Sequence, residues 1–236
     1  MRLFRPWFLV WFLLFIPVAA LGGPRSLAVL YFESEDTGPL SALKVGLAQM
    51  LISDLHSTPD LQVVERARLQ VVLDELELGH SGMTDSATAA RVGSLVGAQW
   101  MLMGGYVELG GTLIVTARLV EVETGRILKA FTETDSTESF FVLEKSLSKK
   151  VRNSLIELIN ADERQGATGK EPDGIRTVPV EPVTTGKSLQ AALSFSEGLV
   201  YLDRQEIERA RESFQGALAA EPALEAARQQ LENLEL

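Results

Sequence analysis

The chain of 236 residues contains no cysteine. That absence excludes disulfides, thiolate metal sites, a cysteine nucleophile and a lipid carried on an N-terminal cysteine. Histidine is nearly absent too, with only His56 and His80. Both stand at helix ends beside Ser, Pro or Gly, and neither has a second histidine or a carboxylate at a metal-ligand spacing. Basic residues number 22 against 32 acidic ones, for a formal net charge of -10. An acidic chain gains nothing from the counterion release that drives binding to phosphate backbones, so nucleic acid is not an expected partner.

Catalytic motifs are missing as well. There is no G-x-S-x-G nucleophile elbow. Gly186-Lys187-Ser188 has the ending of a phosphate loop, but Glu181 stands where that loop needs its first glycine. A Pro-rich stretch precedes it instead of an apolar strand. Gly104-Gly105 and Gly110-Gly111 make no G-x-G-x-x-G pattern and read as a strand start and a turn. Asp54 and His56 are two apart on a helix and do not face each other. Asp74 with Glu77, and Glu121 with Glu123, read as solvated faces. No catalytic, cofactor-binding or metal-binding residue is assigned, no cofactor is expected, and the chain does not read as an enzyme.

What is present begins with a secretory pattern. Arg2 and Arg5 precede the apolar run "WFLVWFLLFIPVAALG", with small residues at Val18-Ala19-Ala20 and Ala20-Leu21-Gly22. Basic, apolar and small segments in that order describe a signal peptide over residues 1–23, which leaves a periplasmic product. Retention of the run as an N-terminal anchor is the alternative, although it is shorter than the ~20 residues of a usual spanning helix. Loss of Arg2 and Arg5 with the signal takes the net charge to -12.

Residues 24–160 read as an α/β domain. The apolar stretch at 26–32 predicts a strand buried on both faces. Gly38-Pro39 opens a helix with Leu40, Leu43, Leu47, Met50 or Leu51, and Leu55 on one face. A short strand at 61–64 follows, then a helix with Leu69, Val72, Leu73 and Leu76, stopped by Gly79. Thr84, Asp85 and Ser86 offer caps for a third helix that buries Ala89, Val92, Leu95 and Val96. Strands are expected at 100–109, 113–122 and 126–134, joined by tight turns at Gly110-Gly111 and Thr124-Gly125. Along the second of these, Thr112, Ile114, Thr116 and Arg118 alternate with Leu113, Val115, Ala117 and Leu119, which predicts one wetter face. Ser136-Thr137 is expected to cap a final helix with Phe140, Leu143, Leu147, Val151, Leu155 and Leu158 inward. The order predicts a mixed sheet with helices packed against it. At the corner between the short strand and its helix stand Glu65 and Arg66, both expected to be scaffold, with the Glu65 carboxylate meeting the helix dipole and the unsatisfied first-turn amides.

The segments "LAVLYFES", "LAQMLISDL", "QVVERARLQVVLDELELG", "VGSLVGAQWMLMGGYVE" and "ARLVEVETGRIL" occur in that order. Together they resemble the curli production assembly/transport (CsgG-like) family and its relatives with the TolB-type amino-terminal fold. The resemblance implies a CsgG-like periplasmic domain. In that family the secretion pore depends on long amphipathic hairpins, whereas the connections here are turns, too short for the ~9–11 residues per arm that a spanning barrel strand requires. The family's lipid anchor is missing with its cysteine.

Residues 161–187, with scattered Pro, Gly, Thr and charge, read as a linker. Residues 188–236 read as a small helical module. Gly198, Tyr201, Ala210, Phe214, Ala217 and Pro222 fall at the spacings of one tetratricopeptide repeat. Gly198 and Ala210 would let two helices approach, Tyr201 and Phe214 would fill between them, and Pro222 would start the next helix. Leu224, Ala227, Leu231 and Leu234 form a stripe on a closing helix. Phe195, Leu199 and Leu202 line the face that in a repeat array looks into the binding groove. Since one repeat cannot bury its own apolar faces, that face either packs on the N-terminal domain or a second tail, or binds a partner's helix or extended peptide.

The function expected is that of a non-catalytic, exported envelope accessory protein. It would act by protein–protein contact in assembling or regulating a surface, secretion or outer-membrane machine. The alternative is an oligomeric outer-membrane secretion channel component. Expected partners are envelope proteins, a homo-oligomer among the options, with peripheral association at the outer membrane through those partners.

Overall fold

A computed structural model describes residues 25–34, 38–76, 85–166 and 188–235. The signal segment, Glu77, Gly79, His80, Thr84 and the Gly186-Lys187 pair lie outside these residues. Strand β1 (Arg25–Glu33) is apolar throughout its middle because both of its faces are covered, and Leu27 to Phe32 are almost without exposed surface. A 3-10 turn at Pro39–Ala42 leads into α1 (Leu43–Leu55), which crosses to the three-residue β2 (Leu61–Val63). Helices α2 (Arg66–Glu75) and α3 (Ser86–Val96) then carry the chain to β3 (Trp100–Leu109). Two antiparallel strands follow, β4 (Thr112–Glu121) and β5 (Ile127–Ser136), before the long helix α4 (Phe140–Gly166).

The sheet order is β2-β1-β3-β4-β5. Strand β1 pairs in parallel with β2 and β3, and β3, β4 and β5 run antiparallel to one another. This is the mixed sheet that the element order predicts. Gly110 and Gly111 have φ values of 60° and 84°, the left-handed pair that a two-residue hairpin needs. Gly104 and Gly105 do not begin the strand. They lie inside β3, where a Cβ on Gly104 would meet the Phe32 ring at 2.6 Å, so the glycine makes room for that ring.

Several helix ends differ from expectation. Asp85 caps α3 as predicted, accepting from the Thr88 amide at 2.8 Å, and Gly97 closes that helix with φ 71°. Leu95, expected inside, is 56% exposed, because it sits on the outward side of α3 away from the sheet. Glu65 is the N-cap of α2, but its exposed carboxylate makes no cap hydrogen bond. Helix α4 is not capped by a side chain of Ser136 or Thr137, since a 3-10 turn at Thr137–Ser139 intervenes. Its inward stripe is as expected, except that Ile159 is buried while Leu158 is half-buried. The helix also continues to Gly166, six residues into the stretch that reads as linker.

The tail consists of α5 (Ser188–Asp203), α6 (Ile207–Ala220) and α7 (Glu225–Glu235). Its α5 lies against α1 and, less extensively, α4, so α1 is held between sheet and tail. That position explains its composition. Ten of the thirteen residues of α1 are buried, around nearly the whole circumference, as in a helix with no solvent side.

Candidate interaction surfaces

The α5 face with groove-like character is occupied by the chain itself. Phe195 and Leu199 have no exposed surface, and Leu202 is half-buried against the same core. Helices α1 and α5 approach so closely that a Cβ on Gly46 would stand 1.7 Å from the Ser196 hydroxyl oxygen. Between α5 and α6 the same device recurs, since a Cβ on Gly198 would come within 2.5 Å of the Phe214 ring. Ala210, Phe214 and Ala217 are fully buried, and the Phe195 and Phe214 rings lie 5.8 Å apart at 45°. Tyr201 is half-buried, with the Arg209 guanidinium 5.6 Å from its ring centre. Pro222 does not start the next helix. It lies in the turn before α7, where its carbonyl accepts from Arg228 at 2.9 Å.

Two polar ties fasten tail to body, and a third joins two helices of the body beneath it. The first is Ser188, whose hydroxyl accepts from the Phe141 amide at 3.0 Å in a buried site. The tail thereby satisfies a first-turn amide of α4, which the neighbouring Ser136 and Thr137 do not.

The second tie is Arg66, buried at the start of α2, whose Nη1 meets Asp203 Oδ2 of α5 at 2.7 Å. The Tyr31 hydroxyl lies 3.5 Å from that nitrogen and donates to Gln70, which in turn donates to Asp74. Burial works against the charge of Arg66, but the Asp203 carboxylate outweighs it and holds the guanidinium above its ordinary value. Burial likewise pushes the Tyr31 phenol up, with Arg66 opposing. The charged corner of the sequence is thus structural through Arg66, which reaches the tail, more than through Glu65.

The third tie joins α1 and α4 beneath the tail. Lys145 Nζ bonds Asp54 Oδ1 at 2.5 Å and lies 3.3 Å from Glu144 Oε2. Glu144 has no exposed surface, and the Lys145 contact lacks hydrogen-bond geometry, so neither carboxylate oxygen accepts a hydrogen bond. Burial first, and then the Asp54 carboxylate, push the Glu144 carboxyl from an ordinary 4.5 up to about 8. Burial opposes the Lys145 charge, but Glu144 and Asp54 together raise its ammonium above the usual range.

Two hollows lie along this seam. An open cleft of about 310 Å³ separates Ser41, Lys44 and Val45 from Glu197, Tyr201 and Arg204. A smaller one of about 110 Å³ lies between Met50, Asp54, Phe141 and Lys145 of the body and the α6–α7 corner of the tail.

Among the described residues, the other face of the sheet is covered only in part. Helix α3 packs over its Met101 end, where a Cβ on Gly93 would come within 2.7 Å of Met101. Beyond that helix Val107 and Leu109 are 45% and 63% exposed. The register sets Val107 opposite Ile114 and Gly105 opposite Thr116, and continues to Thr134 and Thr132 on β5. These residues share one face, and β5 forms the sheet edge. The alternation along β4 signalled a wetter face, but the exposure of Val107 and Leu109 was not legible, because strand β3 reads as apolar on both sides.

Among the described residues no group of three or more His, Asp or Glu side chains is placed to hold a metal ion, and no helix is long and apolar enough to cross a membrane. The family model described as curli production assembly/transport component CsgG matches residues 26–112, from β1 to the first residue of β4. No curated protein matches the chain. Among solved structures, the C-terminal domain of LpoB from Salmonella enterica is similar at 18% identity, over 50% of this chain and 87% of that one, with a TM-score of 0.41. Lipoprotein GNA1162 from Neisseria meningitidis is similar at 22% identity over 56% and 99%, with a TM-score of 0.36. The PelC dodecamer from Paraburkholderia phytofirmans is similar at 16% identity over 50% and 76%, with a TM-score of 0.31.

Proposed function

We propose that this chain is an exported, non-catalytic accessory protein of the bacterial envelope, which works by protein–protein contact. The observation that carries the reading is the uncovered half of the sheet, which bears Val107 and Leu109 on β3 and ends two strands away at the edge strand β5. Clusters of exposed apolar residues mark contact surfaces, and an edge strand offers a row of backbone groups to a partner. The CsgG match over β1 to β3 supports the envelope setting, and the signal-like first residues support export. The tetratricopeptide-like tail contributes as a buttress: Phe195 and Leu199 are buried within the chain, Phe195 against Phe214, which leaves the open sheet as the contact face. The tight β3–β4 turn gives those strands no arm beyond the sheet, so the accessory reading is preferred over a secretion channel component.

Crosslinking of the full chain in envelope fractions, with capture of the adducts, tests this. The Val107→Lys/Leu109→Lys double variant should lose the adducts of the unmodified protein while melting at the same temperature. Adducts that persist unchanged would remove the open face from the reading.

A further inference from the structure

Where charged side chains meet along the seam of body and tail, they answer one another. Arg66 takes Asp203, and beneath the tail Lys145 takes Asp54. The cleft of about 310 Å³ between α1 and α5 differs. Lys44 enters it from α1, half-buried, and Arg204 enters from α5, exposed. Among the described residues neither has an ion pair or a side-chain hydrogen bond. Glu197, the acid on the cleft wall, is likewise without a partner there. Two unanswered cations against one acid give the cleft a positive balance, in a chain whose formal net charge is -10.

The walls limit what can lie in it. Glu197, Val200, Tyr201 and Arg204 follow the spacing i, i+3, i+4, i+7, which sets them along one face of α5. At 1.5 Å per residue that wall is about 10 Å long, the reach of about three residues of extended chain at ~3.3 Å each. Between the charges the lining is apolar, from Val45 on one side and Val200 and Tyr201 on the other. A small inorganic anion would meet Lys44 and Arg204 and leave that apolar surface unused. A short peptide with acidic and aliphatic side chains uses both.

We propose that this cleft is a second contact site, which takes an extended acidic segment of a partner protein about three residues long. Its carboxylates meet Lys44 and Arg204, the aliphatic side chain between them lies against Val45 and Val200, and Glu197 accepts from a backbone amide of the segment. The site is on the tail side of the sheet and is independent of the open face. One of its walls belongs to the body and the other to the tail, so an occupant bridges the two and favours the seated tail.

The test follows the amide chemical shifts of α1 and α5 in the full chain while acetyl-Glu-Leu-Glu-amide is added. Shifts of residues around the cleft should move along one saturating curve, and the curve should weaken as salt rises. Acetyl-Gln-Leu-Gln-amide should bind roughly fivefold or more weakly, for the loss of two part-exposed ion pairs. The Lys44→Gln/Arg204→Gln double variant should lose as much affinity for the acidic peptide, at an unchanged melting temperature. Glu197→Gln should bind it no less tightly, since a repelling charge is gone and an accepting oxygen remains. Val107→Lys/Leu109→Lys should bind as the unmodified protein does, which separates this site from the open face. No saturable shift at the cleft would overturn the proposal, as would equal binding of the acidic and neutral peptides or full affinity in the Lys44/Arg204 variant. Displacement of the peptide by an equal concentration of free glutamate would also overturn it, in favour of a small-anion site.

Discussion

The two faces of the central sheet are built from the same three antiparallel strands yet carry opposite economies of burial. On one face Leu113, Val115, Ala117 and Leu119 of β4 are sealed. Helix α4 is fastened over the neighbouring β5 residues through Lys129–Glu157 at 3.7 Å and a Ser146–Glu133 hydrogen bond at 2.8 Å. Outside α1 and α4 lies the tail, a second helical layer. On the other face α2 and α3 reach only the end nearer β1 and Met101, and Val107 and Leu109 stand in solvent. The difference teaches where substitutions should be felt: as lost stability on the sealed side, as lost contact on the open one.

The sharpest way to break that contrast is in the buried seam between α1 and α5. Leu199→Ala should behave as a core truncation and cost about 2–5 kcal/mol, with the tail melting ahead of the body. Denaturant unfolding followed by far-ultraviolet dichroism would measure it, and a change near zero would return the α5 face to the list of free surfaces. Asp203→Asn comes next. It leaves the buried Arg66 guanidinium with a neutral partner and should cost ~1–3 kcal/mol, read in the same assay. Ser188→Ala is smaller. Loss of a capping hydroxyl is worth about 0.5–2 kcal/mol, and its signature is faster amide exchange in the first turn of α4, more than 40 residues away in sequence. At the bottom of the scale, Glu65→Gln should leave the melting temperature unchanged, because its exposed carboxylate caps nothing.

The strands and helices were legible wherever periodicity and turn chemistry agreed. Asp85 and Gly97 bracket α3 because a carboxylate cap and a left-handed glycine are local needs, met by local residues. The seam between body and tail was not legible in the same way, since its partners lie far apart in sequence. In the sequence Ser188 ends an incomplete phosphate-loop pattern, and nothing near it reveals that it caps α4. Arg66 stands with Glu65 at a corner, while its ion partner is 137 residues later. One signal did point to the seam. The segment Leu43–Leu55 is apolar around nearly all of its circumference, and such a helix needs a second cover. The buried Glu144 left no trace in the pattern, since it is flanked by Leu143 and Lys145 on an ordinary amphipathic helix. Along the open face the alternation of β4 was readable, whereas the exposure of Val107 and Leu109 depends on how far α3 reaches.

The all-round apolar character of α1 also sets a clock. During synthesis Gly46 on its outer face emerges roughly 150 residues before Ser196, which packs against it. At ~5–20 residues per second that gap lasts about 7–30 s. For that interval the nascent chain has the sheet-side cover of α1 within reach and no outer cover, with Val45 and Ile52 among the residues that wait.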